Sequence, residues 1–149
     1  NLLLTGSLRD NILLGRDDVD DEEMIRAAKA ALAHDFIATM PNGYDVQLAD
    51  RGEGLSGGQR QAIAMARALV GRPPILVFDE PTSAVDSETE ARLMTNLRQE
   101  FEGRTLIVIT HRPSLLNLVN RVILLSRGRI AMDGTPDSIT RNVARIRAR

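Results

Sequence analysis

Apolar residues recur at helical spacing in the first half of the chain. In segment 20–40, DDEEMIRAAKAALAHDFIATM, they fall on one face of a helix. The residues of this stripe are Met24, Ile25, Ala28 and Leu32. Asp20 and Glu23 have the spacing of a capping box, and Pro41-Asn42-Gly43 is a turn signal. The pattern therefore predicts one helix over this segment.

Two further helices are predicted around the middle of the chain. The first runs from Gln59 to Val70, where a glycine and two prolines soon follow. The second begins after Asp86, where Ser87 and Glu90 have capping-box spacing. Residues 1–19 and 42–54 are predicted to be turns and loop.

Short continuous apolar runs dominate the second half. Ile75–Phe78, TLIVIT and RVILLS have the length of strands, and the first two are predicted to be buried on both faces. RGRIAMDG is predicted to be a turn and a short edge strand, followed by a basic C-terminal helix. Buried strands that alternate with helices predict an α/β fold with a mainly parallel sheet. We assign residues 1–72 to a mainly helical subdomain and 73–149 to part of an α/β core with flanking helices.

Reactive polar groups follow two of these strands. Four apolar residues and then Asp79 form a Walker-B pattern, in which a rigidly placed carboxylate holds Mg²⁺. Glu80 points differently and is a candidate base for an attacking water. His111 follows TLIVIT and is a candidate hydrogen-bond partner of a phosphate or water. The alternatives are a strand end in solvent for the two acids and a structural histidine.

The stretch Leu55-Ser56-Gly57-Gly58-Gln59 runs directly into a helix. Two glycines let the backbone approach a ligand closely, and the first N–H groups of a helix attract anions. Ser56 adds a hydroxyl donor. The stretch therefore indicates a phosphate site, and the alternative is a linker before a core helix.

Composition narrows the function classes. The formal net charge of −1 gives no support for binding to nucleic acid, and the absence of cysteine excludes disulfides and Cys-based metal sites. No apolar run approaches the roughly 18 residues of a membrane helix. The chain of 149 residues starts with Asn and in mid-pattern, so we expect it to be a piece of a longer protein.

The motifs together resemble the nucleotide-binding domain of ABC transporter ATPases, which has a P-loop NTPase fold. Leu55–Gln59 matches the family's signature motif, and Asp79 and Glu80 match Walker B and the catalytic glutamate. Ser83–Asp86 resembles the D-loop, and His111 matches the switch histidine. The sequence contains no match to the family's P-loop, G-x-x-x-x-G-K-[ST]. By this resemblance the chain is the C-terminal part of the domain, and we expect no ATPase activity from it alone.

The resemblance also implies partners and roles. ABC ATPase domains pair head to tail, and each signature loop caps the ATP held by the other domain. The residues expected at that ATP are Ser56, Gly57, Gly58 and Gln59. Asp79, Glu80 and His111 would act on Mg²⁺ and ATP held in their own domain, and Asp86 would communicate across the dimer.

Two segments resemble ABC exporters, and a third is similar to one group of them; such a protein would act at the cytoplasmic face of a bacterial inner membrane. LLLTGSLRDNI resembles the exporter stretch after the Q-loop. QLADRGEGLSGGQ resembles the X-loop, whose Asp50 and Arg51 would contact the transmembrane domain or else form a solvated pair. THRPSLLNLVN is similar to type I secretion ATPases. Drug, lipid or peptide exporters remain alternatives, as does a DNA-maintenance ABC ATPase, against which the near-neutral charge counts.

Overall fold

The computed structural model describes residues 2–49 and 52–147, with side chains up to residue 145. It contains two compact units, one ending at Ile109 and one beginning at Thr110. The elements of the first unit are β1 (Gly6–Ser7), α1 (Leu8–Leu13), α2 (Asp21–Ala30), α3 (His34–Ala38), a 3₁₀ turn (Gly43–Asp45), β2 (Gln47–Leu48), α4 (Gly57–Leu69), β3 (Ile75–Asp79), α5 (Ser87–Glu100) and β4 (Thr105–Ile109). The elements of the second unit are a 3₁₀ helix (Pro113–Leu118), β5 (Val122–Ser126), β6 (Arg129–Gly134) and α6 (Pro136–Arg147).

Helix α4 is the centre of the first unit, and it packs against both α1 and α2. The contact surface is built largely from aliphatic side chains and alanine, which let helix axes approach closely. The buried residues of these three helices include Leu8, Ile12, Met24, Ala27, Ala28, Ile63, Ala66 and Leu69. This core holds the N-terminus of α4 in a fixed place.

The predicted single helix over 20–40 is wrong, because the chain turns after Ala30 and resumes as α3. Leu32 adopts a left-handed conformation with φ of 59°. The N–H of Leu32 donates to the Lys29 carbonyl and that of Ala33 to the Ala28 carbonyl. These are the two bonds of a Schellman motif, in which glycine is the usual left-handed residue. The apolar stripe continues through the turn, so periodicity alone does not reveal the break.

The segments predicted as turns and loop also contain short elements. Ser7 caps α1 with a capping box to Asp10, and β1 pairs antiparallel with β2. Strands of two residues and a helix of six are too short for hydrophobic periodicity to register.

Strands β3 and β4 pair in parallel, in register from Ile75 opposite Thr105 to Asp79 opposite Ile109. Leu76 and Phe78 are buried in the core, but Val77 is 58% exposed. The prediction that both strands are buried on both faces is therefore wrong for this structure. A single strand–helix–strand crossover covers one face only, and among the described residues of this unit no second layer covers the other. The exposed face comprises Ile75, Val77, Ile107 and Ile109.

The second unit is a hairpin followed by a helix. β5 pairs antiparallel with β6, so the third predicted strand lies in an antiparallel pair. Arg127 and Gly128 both have positive φ, as a two-residue type I′ turn requires. Helix α6 packs on both strands. None of the helices in the described parts of the chain is long and apolar enough to cross a membrane.

Candidate functional site

Helix α4 begins at Gly57, two residues before the predicted Gln59. Ser56 is its N-cap: the Ser56 Oγ accepts from the Gln59 N–H at 3.1 Å, and the Gln59 Oε1 accepts from the Ser56 N–H at 2.8 Å. This capping box satisfies two backbone donors and sets the angle at which the loop enters the helix. Because the cap uses an acceptor of Ser56, the hydroxyl proton stays available as a donor.

The two glycines of this stretch lie against the turn that follows β3. A Cβ at Gly58 would sit 3.3 Å from the Ala84 carbonyl oxygen, and a Cβ at Gly57 would sit 3.6 Å from the Ala84 Cβ. Glycine at 58 therefore permits a close approach between the start of α4 and the turn. Gly57 is exposed and Gly58 half-buried, so their backbone N–H groups are near solvent at the positive end of the helix.

Glu80 follows directly after β3 and has a left-handed backbone, with φ of 47°. Its N–H donates to the Ile109 carbonyl of β4 at 2.9 Å. Its carbonyl accepts from the Ser83 N–H at 3.2 Å and from the Gln61 Nε2 at 2.9 Å. A non-glycine residue in this region costs about 1–3 kcal/mol, and these bonds on both sides of Glu80 hold it there.

Gln61 is a site residue that the motif analysis missed. Its side chain is 4% exposed and forms three hydrogen bonds, all to the turn between β3 and α5. The signal was present in the sequence, since Gln61 shares one face of α4 with Met65 and Leu69, four and eight residues later. A polar residue inside an apolar helical stripe is buried, and a buried amide needs partners.

Asp79 is the last residue of β3 and is exposed. No group of three or more His, Asp or Glu side chains that would enclose a metal exists among the described residues. A Mg²⁺ ion bound mainly through phosphate oxygens and water needs only one or two carboxylates, so Asp79 fits that kind of site.

Asp86, predicted as a D-loop residue, is the N-cap of α5. Its Oδ1 accepts from the N–H groups of Glu88 and Thr89, each at 3.0 Å, and its Oδ2 accepts from the Thr89 hydroxyl at 2.8 Å. The predicted Ser87–Glu90 capping box is therefore wrong, because the cap lies one residue earlier. Hydrogen bonds from the Thr89 backbone and hydroxyl hold the pKa of Asp86 below its usual value.

The start of α4 and the turn after β3 border one cleft of about 430 Å³. Ser56, Gly57, Gly58 and Gln59 line it together with Gln61, Ala84 and Asp86. Leu32 and Phe36 line it as well. All four residues of the predicted phosphate site thus meet the predicted D-loop in one place.

His111 belongs to the second unit, two residues beyond the end of β4. Its side chain is exposed, and the adjacent Arg112 N–H donates to the Thr110 hydroxyl at 3.0 Å. Asp50 and Arg51, predicted to contact a transmembrane domain, lie outside the described residues.

Comparison with known proteins identifies the family. The model of the ABC transporter family matches residues 2–83, which is more than half of the chain and includes Ser56, Gly57 and Glu80. The chain belongs to the ABC transporter family. The sequence-based prediction of the family is confirmed, and with it the α/β fold of an ABC ATPase segment.

Relatives of this ABC chain are proteins named for toxin export. The exotoxin translocation ATP-binding protein PaxB of Pasteurella aerogenes is 47% identical over 142 residues, which is 95% of this chain and 20% of the relative. The toxin RTX-I translocation ATP-binding protein of Actinobacillus pleuropneumoniae is 48% identical over 134 residues, 90% of this chain and 19% of the relative. The predicted similarity to type I secretion ATPases is confirmed. The chain spans about a fifth of the length of these relatives.

A solved structure of a bacterial Atm1-family ABC exporter with ATP bound is similar in fold. It superimposes with a TM-score of 0.87 and 40% identity over 96% of this chain and 25% of that protein.

Proposed function

We propose that this chain supplies part of the ATP-binding and ATP-hydrolysing machinery of an ABC exporter that secretes protein toxins. The observation that carries the proposal is the cleft in which the capped start of α4 meets the turn between Glu80 and Asp86. The relatives named as toxin translocation ATP-binding proteins, at 47% and 48% identity, support the choice of cargo.

The start of α4 would bind phosphate oxygens of ATP. The N–H groups of Gly57 and Gly58 belong to the first turn, where a helix leaves backbone donors without helical partners. The Ser56 hydroxyl would add a third donor, and the Gln59 Nε2 a fourth. Preorganised donors of this kind stabilise charge on a transferring phosphoryl group.

The end of β3 would carry the catalytic carboxylates. Asp79 would hold Mg²⁺, which when bound neutralises charge on the phosphates. Glu80 would accept a proton from, or orient, the attacking water. His111 would donate a hydrogen bond to the terminal phosphate or to that water.

The site would be completed by a second ATPase domain arranged head to tail, with ATP between the two. Asp86 would lie near the dimer interface, and the loop around Asp50 and Arg51 would face a transmembrane domain. The assembly would work at the cytoplasmic face of the bacterial inner membrane, and we propose no role for nucleic acid.

The test is the steady-state ATPase activity of the full-length exporter that carries this segment. We expect Glu80→Gln to reduce kcat by at least about 100-fold, because a positioned general base contributes that much or more. Glu102→Gln is the matched control, since Glu102 is an exposed glutamate beyond the end of α5 and belongs to none of the motifs. Wild-type turnover in Glu80→Gln would refute the role of Glu80.

A second candidate is an ABC exporter of a different cargo. The likeness to the Atm1-family exporter, at 40% identity over 96% of the chain, favours it specifically. Secretion assays with a co-expressed protein toxin distinguish the two, since only a toxin exporter releases the toxin in an ATP-dependent way.

A further inference from the structure

We propose that Gln61 is a positioning residue for Glu80: it fixes the catalytic turn to the phosphate-binding start of α4. The inference rests on the proposed function, because it assigns an effect on ATP hydrolysis through Glu80. Gln61 itself touches no reacting atom in this scheme.

The contacts of Gln61 all reach the same turn. The Nε2 donates to the Glu80 carbonyl at 2.9 Å and to the Ser83 Oγ at 3.2 Å. The Oε1 accepts from the Ala84 N–H at 3.1 Å. One planar amide thus binds the turn at its first residue and again four residues later.

An amide side chain of the length of glutamine meets both demands. The turn presents a carbonyl at Glu80 and an N–H at Ala84, so the side chain that reaches it must donate and accept at once. A carboxylate offers acceptors alone, and an aliphatic side chain offers neither. Since Gln61 is 4% exposed, water has little room to replace the lost partners.

The backbone conformation of Glu80 explains why the hydrogen bonds from Gln61 matter for catalysis. Its left-handed conformation is held by the Ile109 carbonyl on one side and by Gln61 and Ser83 on the other. Loss of the Gln61 contact removes the 2.9 Å hydrogen bond to this carbonyl, which is shorter than the 3.2 Å bond from the Ser83 N–H, and the peptide plane is then freer to rotate. A displacement of about 1 Å at a catalytic group reduces turnover about 100-fold in other enzymes.

Gln61 also lies on the face of α4 that carries the phosphate donors. It follows Gly57 by four residues and Gly58 by three, so these positions are stacked on one side of the helix. Both glycines of this face lie close to Ala84, since a Cβ at Gly57 or Gly58 would sit 3.6 or 3.3 Å from an Ala84 atom. Ligand-binding donors and the Glu80 turn are therefore joined through one buried side chain.

The experiment compares Gln61→Met and Gln61→Leu with Gln99→Leu in the full-length exporter. Methionine keeps the length and removes both hydrogen-bonding groups, and Gln99 is an exposed glutamine on α5. We expect kcat to fall at least tenfold in both Gln61 variants, while the KM for ATP changes less than threefold. Gln99→Leu is expected to match the wild type in both constants.

The KM-against-kcat split separates positioning from a general loss of structure, which would weaken ATP binding as well. A kcat within twofold of the wild type in Gln61→Met would overturn the inference, while an inactive Glu80→Gln in the same assay would keep the proposed function intact. If Glu80→Gln is fully active, the proposed function itself fails.

A second measurement needs no folded variant. In the wild-type protein, hydrogen exchange at the Ala84 amide is expected to be slowed at least tenfold relative to an unstructured peptide, although Ala84 is exposed. If the Ala84 amide exchanges as fast as in an unstructured peptide, its hydrogen bond to Gln61 does not persist and the inference is refuted.

Discussion

Replacement of Asn11 by alanine is expected to destabilise the first unit strongly. Asn11 lies in α1 and is 1% exposed. Its Nδ2 donates to the carbonyls of Leu4 and Ser7 at 2.9 and 3.0 Å. Its Oδ1 accepts from the Leu4 N–H at 2.8 Å and from the Arg67 Nη2 at 2.9 Å. One side chain thus joins the N-terminal segment, α1 and α4.

The magnitude follows from these four bonds. A typical hydrogen bond contributes about 0.5–1.5 kcal/mol net, and one to a charged group contributes about 1.5–3 kcal/mol. Alanine recovers roughly 0.5 kcal/mol through its higher helix propensity, and water can reach Leu4, which is 50% exposed. We therefore expect Asn11→Ala to lower the free energy of unfolding by about 3 kcal/mol. That is a large share of the roughly 5–15 kcal/mol of a typical domain.

Urea denaturation followed by far-ultraviolet circular dichroism measures the effect. With a slope of about 2 kcal/mol per molar urea, the midpoint is expected to fall by about 1.5 M. Asn96→Ala is the control, because its side chain makes only long bonds of 3.4 and 3.5 Å to the Lys29 and Ala30 carbonyls. If the two variants shift the midpoint equally, the hydrogen-bond network around Asn11 does not stabilise the fold as argued.

Two further predictions concern acid stability and association. A hydrogen bond from Arg26 is the main reason why the pKa of Glu23 lies below its usual 4.5, so the stabilisation is present above that pH and is lost as the pH falls through the lowered value. Glu23→Gln should therefore lower the melting temperature more at pH 7 than at pH 2; equal losses at both would contradict the charge dependence. The apolar strand face that includes Val77 and Ile109 should make the chain self-associate, so Val77→Lys should lower the mass measured by light scattering and Thr95→Lys, at an exposed polar position of α5, should not. A monomeric wild-type chain at micromolar concentration would refute this expectation.

The elements with strong periodicity could be predicted from the sequence. Helix α4 and strand β3 lie within two residues of their predicted bounds. The turn at Leu32 could not be predicted, because a Schellman motif with a leucine in the left-handed position leaves no glycine to mark it. The sequence also overestimates the burial of β3. A continuous apolar run shows that both faces of a strand are compatible with burial, but it does not show which elements pack on each face.

Most of the candidate site could be predicted because its residues are close together in sequence. Ser56 to Gln59 form a local capping box, and Asp79 and Glu80 end one strand. The apolar stripe of α4 signals that Gln61 is buried, but it does not identify the partners: two of the three are backbone groups 19 and 23 residues away, which carry no residue-type signal. Asn11 has the same property toward Leu4 and Ser7. Backbone partners are visible only after the chain has folded.

The position of Gln61 suggests how the two ATP sites of the proposed dimer would be coupled. In that arrangement the start of α4 would face the ATP held by the partner domain, whereas Glu80 would act on the ATP of its own domain. Gln61 joins these two parts within one chain through bonds of 2.9 and 3.1 Å. Because Gln61 bonds α4 directly to the Glu80 carbonyl, a ligand that shifted the first turn of α4 would shift that carbonyl as well. Closure at one ATP site would then set the geometry of the base at the other, and the Gln61 variants should lose this dependence before they lose ATP binding.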